Sequence, residues 1–321
     1  MYVSGKRDTI KLINLGDYDM ASKGDKKVMN KKIKWIIGGV VGFLVVIIGL
    51  VVIFGVPSAE FVFKGMNEEM LKVKSVTVDQ EFAIKDTDGK TSNVSSKVFL
   101  NLASDKELLA KGNFALDINS NGLPMSIGGD IIKVGDSSYV KYSEFSSSSS
   151  KLKASFSEME TKLKNNWIKV RENDSFVDFA KMPIEFATGI MPTPFANLDS
   201  TQRKNVLAIL QDKKMYIIEE SSKVDIAGVS AYKYSITFDN DQYKKAADAI
   251  AGYVSYFKSS DKDSEMKNYT VWVNIATKQI IKIEFEGTDA SGSGTITFSG
   301  YNQDKVVEKP SDYSIESELI N

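Results

Sequence analysis

The sequence predicts a mainly β protein (α+β) held to a membrane by one helix. Three observations carry this. Residues Trp35–Ala59 hold no charged side chain over 25 positions. Beyond them, apolar residues recur with a period of two, the mark of half-buried strands. A few shorter stretches switch to helical spacing and would pack on those strands.

The chain divides at the uncharged run. Ile36 to Val56 is 21 residues, about 32 Å of helix at ~1.5 Å per residue, against a hydrocarbon core of ~30 Å. Residues 1–34 carry nine Lys+Arg and four Asp+Glu, and the chain beyond the span carries a net −6. By the positive-inside rule the tail is cytoplasmic and the large domain extracytoplasmic. The tail lacks sustained periodicity and reads as disordered. Met29-Asn-Lys-Lys-Ile-Lys has the form of a start, which would make residues 1–28 a dispensable extension. A cleaved signal peptide competes with a retained anchor. The apolar run exceeds the usual h-region of ~7–15 residues, and Pro57 crowds the small residues near Val56–Ala59, which favours the anchor. The expected layout is therefore a cytoplasmic tail (1–34), a single-pass span (35–57) and an outer domain (58–321).

Composition excludes several chemistries. The chain has no cysteine and no histidine, so it lacks disulfides, thiol nucleophiles, a lipid-modified cysteine and the commonest general base and metal ligand. Arg7, Arg171 and Arg203 are the only arginines. Few guanidinium forks and a net-acidic outer domain argue against nucleic-acid binding.

In the outer domain, Pro57 ends or kinks the span. A helix follows from near Ser58 to Lys74, with Phe63, Met66, Met70 and Val73 on one face. Phe61, Phe63 and Met66 are placed to dip into the headgroup layer. Strands come next: Val76, Val78, Phe82 and Ile84 alternate with Thr77, Asp79, Glu81 and Lys85, and Asp86-Thr-Asp-Gly89 turns the chain. Ser96, Val98, Leu100 and Leu102 continue the alternation, as do Ala110, Gly112, Phe114, Leu116 and Ile118. Further strands are expected near Met125–Val134 and Ser138–Tyr142. The serine run Ser146–Ser150 reads as a linker before a helix carrying Leu152, Phe156, Met159 and Leu163, and Trp167–Val170 is a short strand.

Phe176–Phe195 contains three of the six prolines and many apolar residues. It reads either as a segment packed on the core or as a lid over an apolar cavity, since ordinary loops face water. Asp199-Ser-Thr-Gln202 is a capping box before a helix with Val206, Leu207 and Leu210. Strands at Met215–Ile218 and Tyr232–Phe238 precede a helix capped by Asp239 or Asn240. A meander follows at Tyr269–Ile275, Ile280–Glu286 and Gly294–Ser299, with Lys305–Glu308 as a further candidate. Roughly ten strands joined by short links imply antiparallel pairing.

No catalytic residue, metal ligand or cofactor site emerges. Asp86-Thr-Asp-Gly89 lacks the later bidentate Glu of a calcium loop and fits a hairpin. No spacing singles out a Ser/Lys dyad. The remaining signal is apolar surface. A curved sheet would present one apolar face, either filled by helices or left open as a cleft for acyl chains.

The order of elements resembles a known family. Lys72-Val-Lys-Ser-Val-Thr77, the meander, the central helices, Val271-Trp-Val-Asn274 with Lys282, Phe298-Ser-Gly-Tyr-Asn302 and Pro310 together resemble the LolA-like superfamily, and within it the LppX/LprG-type lipoproteins. The resemblance spans about residues 60–310. It implies a bacterial-type envelope protein with an antiparallel half-barrel of about eleven strands and helices in its concave mouth. It implies non-catalytic binding of an acylated amphiphile, a lipid or lipoprotein, between sheet and helices. The lipid-binding candidates on the sheet are then Phe82, Ile84, Val98, Leu100, Phe114 and Leu116, with Tyr234, Ile236, Ile283 and Phe285 across it. Ile184, Phe186, Ile190 and Met191 would form the lid. Those lipoproteins are anchored through an acylated cysteine, which this chain lacks, so the span would replace it. The other reading is an envelope scaffold or adhesion module without a ligand.

Overall fold

The computed structural model describes residues 57–85, 89–120, 123–170, 195–212, 215–255, 266–287 and 292–315. The expected tail (1–34), the expected span (35–57) but for Pro57, and the four lid candidates lie outside these residues. Among the described residues no helix is long and apolar enough to cross a membrane.

The chain enters the domain on α1 (Ala59–Met70). The Ser58 hydroxyl accepts from the Phe61 amide at 3.2 Å and caps the free N-terminal donors, with Glu60 in the first turn favoured by the helix dipole. Val62, Phe63, Met66 and Met70 are buried on one face. Phe63 and Met66 therefore do not dip into a headgroup layer; the sheet takes them, and of the three expected residues only Phe61 is exposed.

Five strands follow: β1 (Ser75–Lys85), β2 (Thr91–Asn101), β3 (Leu109–Ser120), β4 (Leu123–Val134) and β5 (Ser137–Ser147). The serine run is thus partly strand, and α2 (Ser150–Leu163) begins at its end. After β6 (Trp167–Val170), α3 (Ser200–Leu210) starts at the expected box: Asp199 accepts from the Thr201 and Gln202 amides, and Gln202 accepts from the Asp199 amide. Next come β7 (Tyr216–Ile226), β8 (Val229–Phe238) and α4 (Asn240–Ala251), capped by Asp239. The meander β9 (Met266–Asn274), β10 (Ile280–Gly287) and β11 (Ser293–Ser299) closes the sequence of long strands, and β12 (Ser314–Ile315) ends it.

All twelve strands form one open sheet, ordered β12-β6-β5-β4-β3-β2-β1-β11-β10-β9-β8-β7. β1 pairs with β11, which joins the two halves of the chain at the middle of the sheet. Every pairing is antiparallel except β12 on β6, which is parallel, a departure from the antiparallel expectation. The domain is mainly β, with a few helices on one face.

The inner face and its helices share one apolar core holding Phe63 and Met66 of α1, Phe156 and Leu163 of α2, and the even-numbered apolar residues of β1 to β3. A second core lies between α3 and α4, where Val206, Leu210, Ala246 and Ile250 meet Leu71 and Met215. Residues 195–198 tie the two together, since the Ala196 and Leu198 amides donate to Met70 O and Leu71 O.

The outer face is partly covered as well. Lys305–Glu308 is not a strand: it runs over β2 to β6 and buries Val307 against Phe99, Ile132 and Tyr139. At the opposite edge, β7 is largely exposed. Two features blunt that free edge against pairing, the bulge between Ile218 and Glu220 and the charge of Lys223 opposite Tyr232.

Candidate functional site

The inner face is organised as rows of side chains running across the strands, because directly paired residues point to the same side of a sheet. One row reads Ile218, Ile236, Tyr269, Phe285, Gly294, Phe82, Val94, Leu116, Ile127, Phe145, through ten successive strands. No polar side chain interrupts it apart from the Tyr269 hydroxyl. Aromatic rings supply much of its width: Phe82 and Phe285 lie 5.6 Å apart, and Phe285 and Tyr269 6.2 Å apart. Phe145 then meets Phe156 of α2 at 6.2 Å.

The next row reads Tyr234, Val271, Ile283, Ile296, Gln80, Ser96, Phe114, Gly129, Tyr142. Its centre is polar. Gln80 is fully buried, and its Nε2 donates to Ser96 Oγ at 2.6 Å. Burying two polar side chains in an apolar layer is tolerable because they bond to each other. At Gly129 a Cβ would come within 2.5 Å of Lys141 O, and a bulge sits between Gly128 and Gly129. The row turns there because the glycine lets two backbones approach.

α1 is fixed to the far end of this face by two tyrosines. Tyr234 donates from its hydroxyl to Ala59 O at 2.7 Å, and Tyr232 to Pro57 O at 3.0 Å. Burial pushes the Tyr234 hydroxyl above the usual range, with a smaller contribution from Tyr232, so it stays a donor. The Phe63 ring stands edge-on to both Tyr234 and Tyr216.

The sequence-predicted sheet residues converge on this face. Phe82, Val98, Leu100, Phe114, Leu116, Tyr234, Ile236, Ile283 and Phe285 each expose 5% or less, and Ile84 packs partly buried against them. Sequence reasoning missed Tyr269, Ile127, Phe145, Gly294 and the Gln80–Ser96 pair. The pair was detectable: Gln80 falls between Val78 and Phe82 in parity, and Ser96 between Val94 and Val98.

Two concavities border the sheet, and the second is lined in part by Phe82, Val94, Phe285 and Gly294 of the apolar row. They measure ≈ 410 Å³ and ≈ 450 Å³, share Glu81 and Ser95, and are lined by Asp79, Lys97 and Asp130 in one and Glu284, Glu286 and Thr295 in the other. Neither is lined by a helix residue. Their linings mix charged and apolar side chains, Phe114 in the first and Phe82, Val94 and Phe285 in the second. Among the described residues no group of three or more Asp or Glu side chains is placed to hold a metal ion.

No protein-family model matches the chain, and no curated protein matches its sequence. Solved structures do match. LprF from Mycobacterium bovis is 12% identical with a TM-score of 0.43, over 80% of this chain and 100% of that one. The lipoprotein LppX from Mycobacterium tuberculosis is 17% identical with a TM-score of 0.36, over 78% of this chain and 100% of that one. The LolA superfamily protein NE2245 from Nitrosomonas europaea is 10% identical with a TM-score of 0.21, over 76% and 93%. At such scores the likeness bears on neither ligand nor partner.

Proposed function

We propose that the protein binds an acylated amphiphile, a lipid or lipoprotein, without catalysis, on the inner face of its sheet. We place this binding at the outer surface of a membrane that residues 35–57 anchor in. The observation that supports it is the buried row from Ile236 to Phe145 across nine strands, apolar apart from the Tyr269 hydroxyl. At its β5 end the row meets Phe156 of α2, and it shares one core with Phe63 and Met66 of α1; such helix-to-sheet contacts are apolar and non-directional. An acyl chain that parts the layers replaces such contacts with equivalent ones, each methylene buried contributing about 0.8 kcal/mol. The Gln80–Ser96 pair gives one polar point on an otherwise apolar surface, suited to an ester or amide at the end of the chain.

A second reading, an envelope scaffold without ligand, draws on one observation. Nine of the ten described candidates are buried already against protein. Photolabelling separates the two. A membrane lipid with a photoreactive group in its acyl chain should, on irradiation, label peptides containing Phe82, Leu116 or Phe285. Labelling confined to the exposed surface, with none on inner-face peptides, would leave the scaffold reading.

A further inference from the structure

The start of α1 combines an exposed ring with a lysine held on it. Phe61 is 54% exposed, the one exposed phenylalanine among the described residues. Lys278 Nζ stands 4.4 Å above that ring. The lysine stem lies along the helix so closely that a Cβ at Gly65 would come 2.3 Å from Lys278 Cδ. Lys278 also has φ 58, in the left-handed region that favours glycine or asparagine. The turn carrying it is built to hold that conformation: Asn274 Oδ1 accepts from the Ala276 and Thr277 amides, and Asn274 O from the Lys278 amide. A long cationic side chain is thus kept where a glycine fits better, which links the residue to a task other than making the turn.

We infer that Phe61 and Lys278 form the surface on which the outer domain rests against the lipid headgroup layer, ring in the interface and ammonium on the phosphates. The inference rests on the anchored reading above. The uncharged run reaches Ala59, and the Pro57 and Ala59 carbonyls are both fixed to β8 by Tyr232 and Tyr234. Phe61 lies two residues beyond Ala59, about 7 Å of chain at most at ~3.6 Å per residue. The ring therefore has no room to leave the membrane boundary if the run is a span. An aromatic ring beside a snorkelling lysine matches that boundary chemically, apolar below and anionic above.

The absence of cysteine makes the test clean. Full-length protein with Thr277→Cys, spin-labelled and reconstituted in phosphatidylcholine–phosphatidylglycerol vesicles, is compared for relaxation by lipid-soluble oxygen and by a water-soluble nickel chelate. Val46→Cys and Val306→Cys report the span and an exposed outer site. The label at 277 is expected to favour oxygen, and Phe61→Ser is expected to abolish that preference while the circular dichroism stays unchanged. A nickel-favouring label at 277 beside an oxygen-favouring label at 46 overturns the inference alone. Nickel preference at both overturns the anchor with it. An oxygen preference at 277 that survives Phe61→Ser overturns the role of the ring. None of these readouts requires an acyl ligand, so failure of ligand binding is seen separately.

Discussion

The Phe82 and Phe285 rings lie 5.6 Å apart across a strand that contributes only Gly294 between them. A Cβ on Gly294 would meet Phe285 Cζ at 2.4 Å and Phe82 Cδ1 at 2.5 Å. The missing side chain is what lets two aromatic rings close over the middle of the sheet. Gly294→Val should therefore cost about 1–3 kcal/mol by overpacking, read as a lower urea midpoint with unchanged slope. An unchanged midpoint would mean that the rings move aside freely and that this part of the face is loosely packed.

Gln80 and Ser96 should show strong non-additivity. Ser96→Ala alone removes one acceptor of the buried Gln80 amide and should cost about 0.5–1.5 kcal/mol. Gln80→Leu combined with Ser96→Ala removes both polar groups and should cost much less than the sum of the single changes. If the pair recognises the polar end of a ligand, the double variant stays folded but binds less. A double-mutant cycle by chemical denaturation, run beside ligand binding, checks both statements.

The buried tyrosines set a pH limit. Burial raises Tyr234, Tyr243 and Tyr301 above the ordinary value of 10.0. In the unfolded chain these hydroxyls lose their protons near pH 10, so above that pH the unfolded state binds fewer protons than the native state and stability falls. Below it the contribution is complete and flat. Tyr301 donates to Ile280 O at 2.7 Å. Tyr301→Phe should cost about 0.5–1.5 kcal/mol at neutral pH and make the loss above pH 10 shallower. A stability profile with the same alkaline slope in this variant would remove Tyr301 from the account.

If residues 35–57 anchor the chain, the hydrogen bond on Pro57 indicates where to lengthen the link to the domain. Pro57 O is bonded to Tyr232, so a flexible Gly/Ser insertion belongs before Pro57 rather than after it. If the domain handles lipid in its own membrane, the insertion should lower the rate of lipid extraction from the host vesicle. Equal or faster extraction would favour a shuttle or a distal adhesin.

The parts of this fold that were legible in the sequence are those half-buried on one side. β3 alternates cleanly because one face lies in the apolar core and the other meets water, and β1 does so beyond Val78. β7 was read only to Ile218, because Glu219 to Asp225 is exposed nearly throughout and carries no alternation. β12 pairs parallel to a strand far away in the chain, and residues 302–313 cover the outer face without regular structure. Periodicity speaks to neither. The inner-face candidates came out together because parity fixes the face of a strand. Their neighbours did not, since the β1–β11 pairing joins Thr77 to Ser299, and no local pattern encodes that.

The mass of residues 57–321, secreted from a bacterial host and transferred gently to native mass spectrometry, tests the central claim most directly. The account predicts a population heavier than the chain by one acylated amphiphile. It predicts that Leu116→Asp either unfolds the domain or removes that population, since Leu116 lies in the apolar row and exposes 1%. A folded wild-type domain that always flies at the bare chain mass, or a folded Leu116→Asp domain that keeps the extra mass, would contradict binding on the inner face.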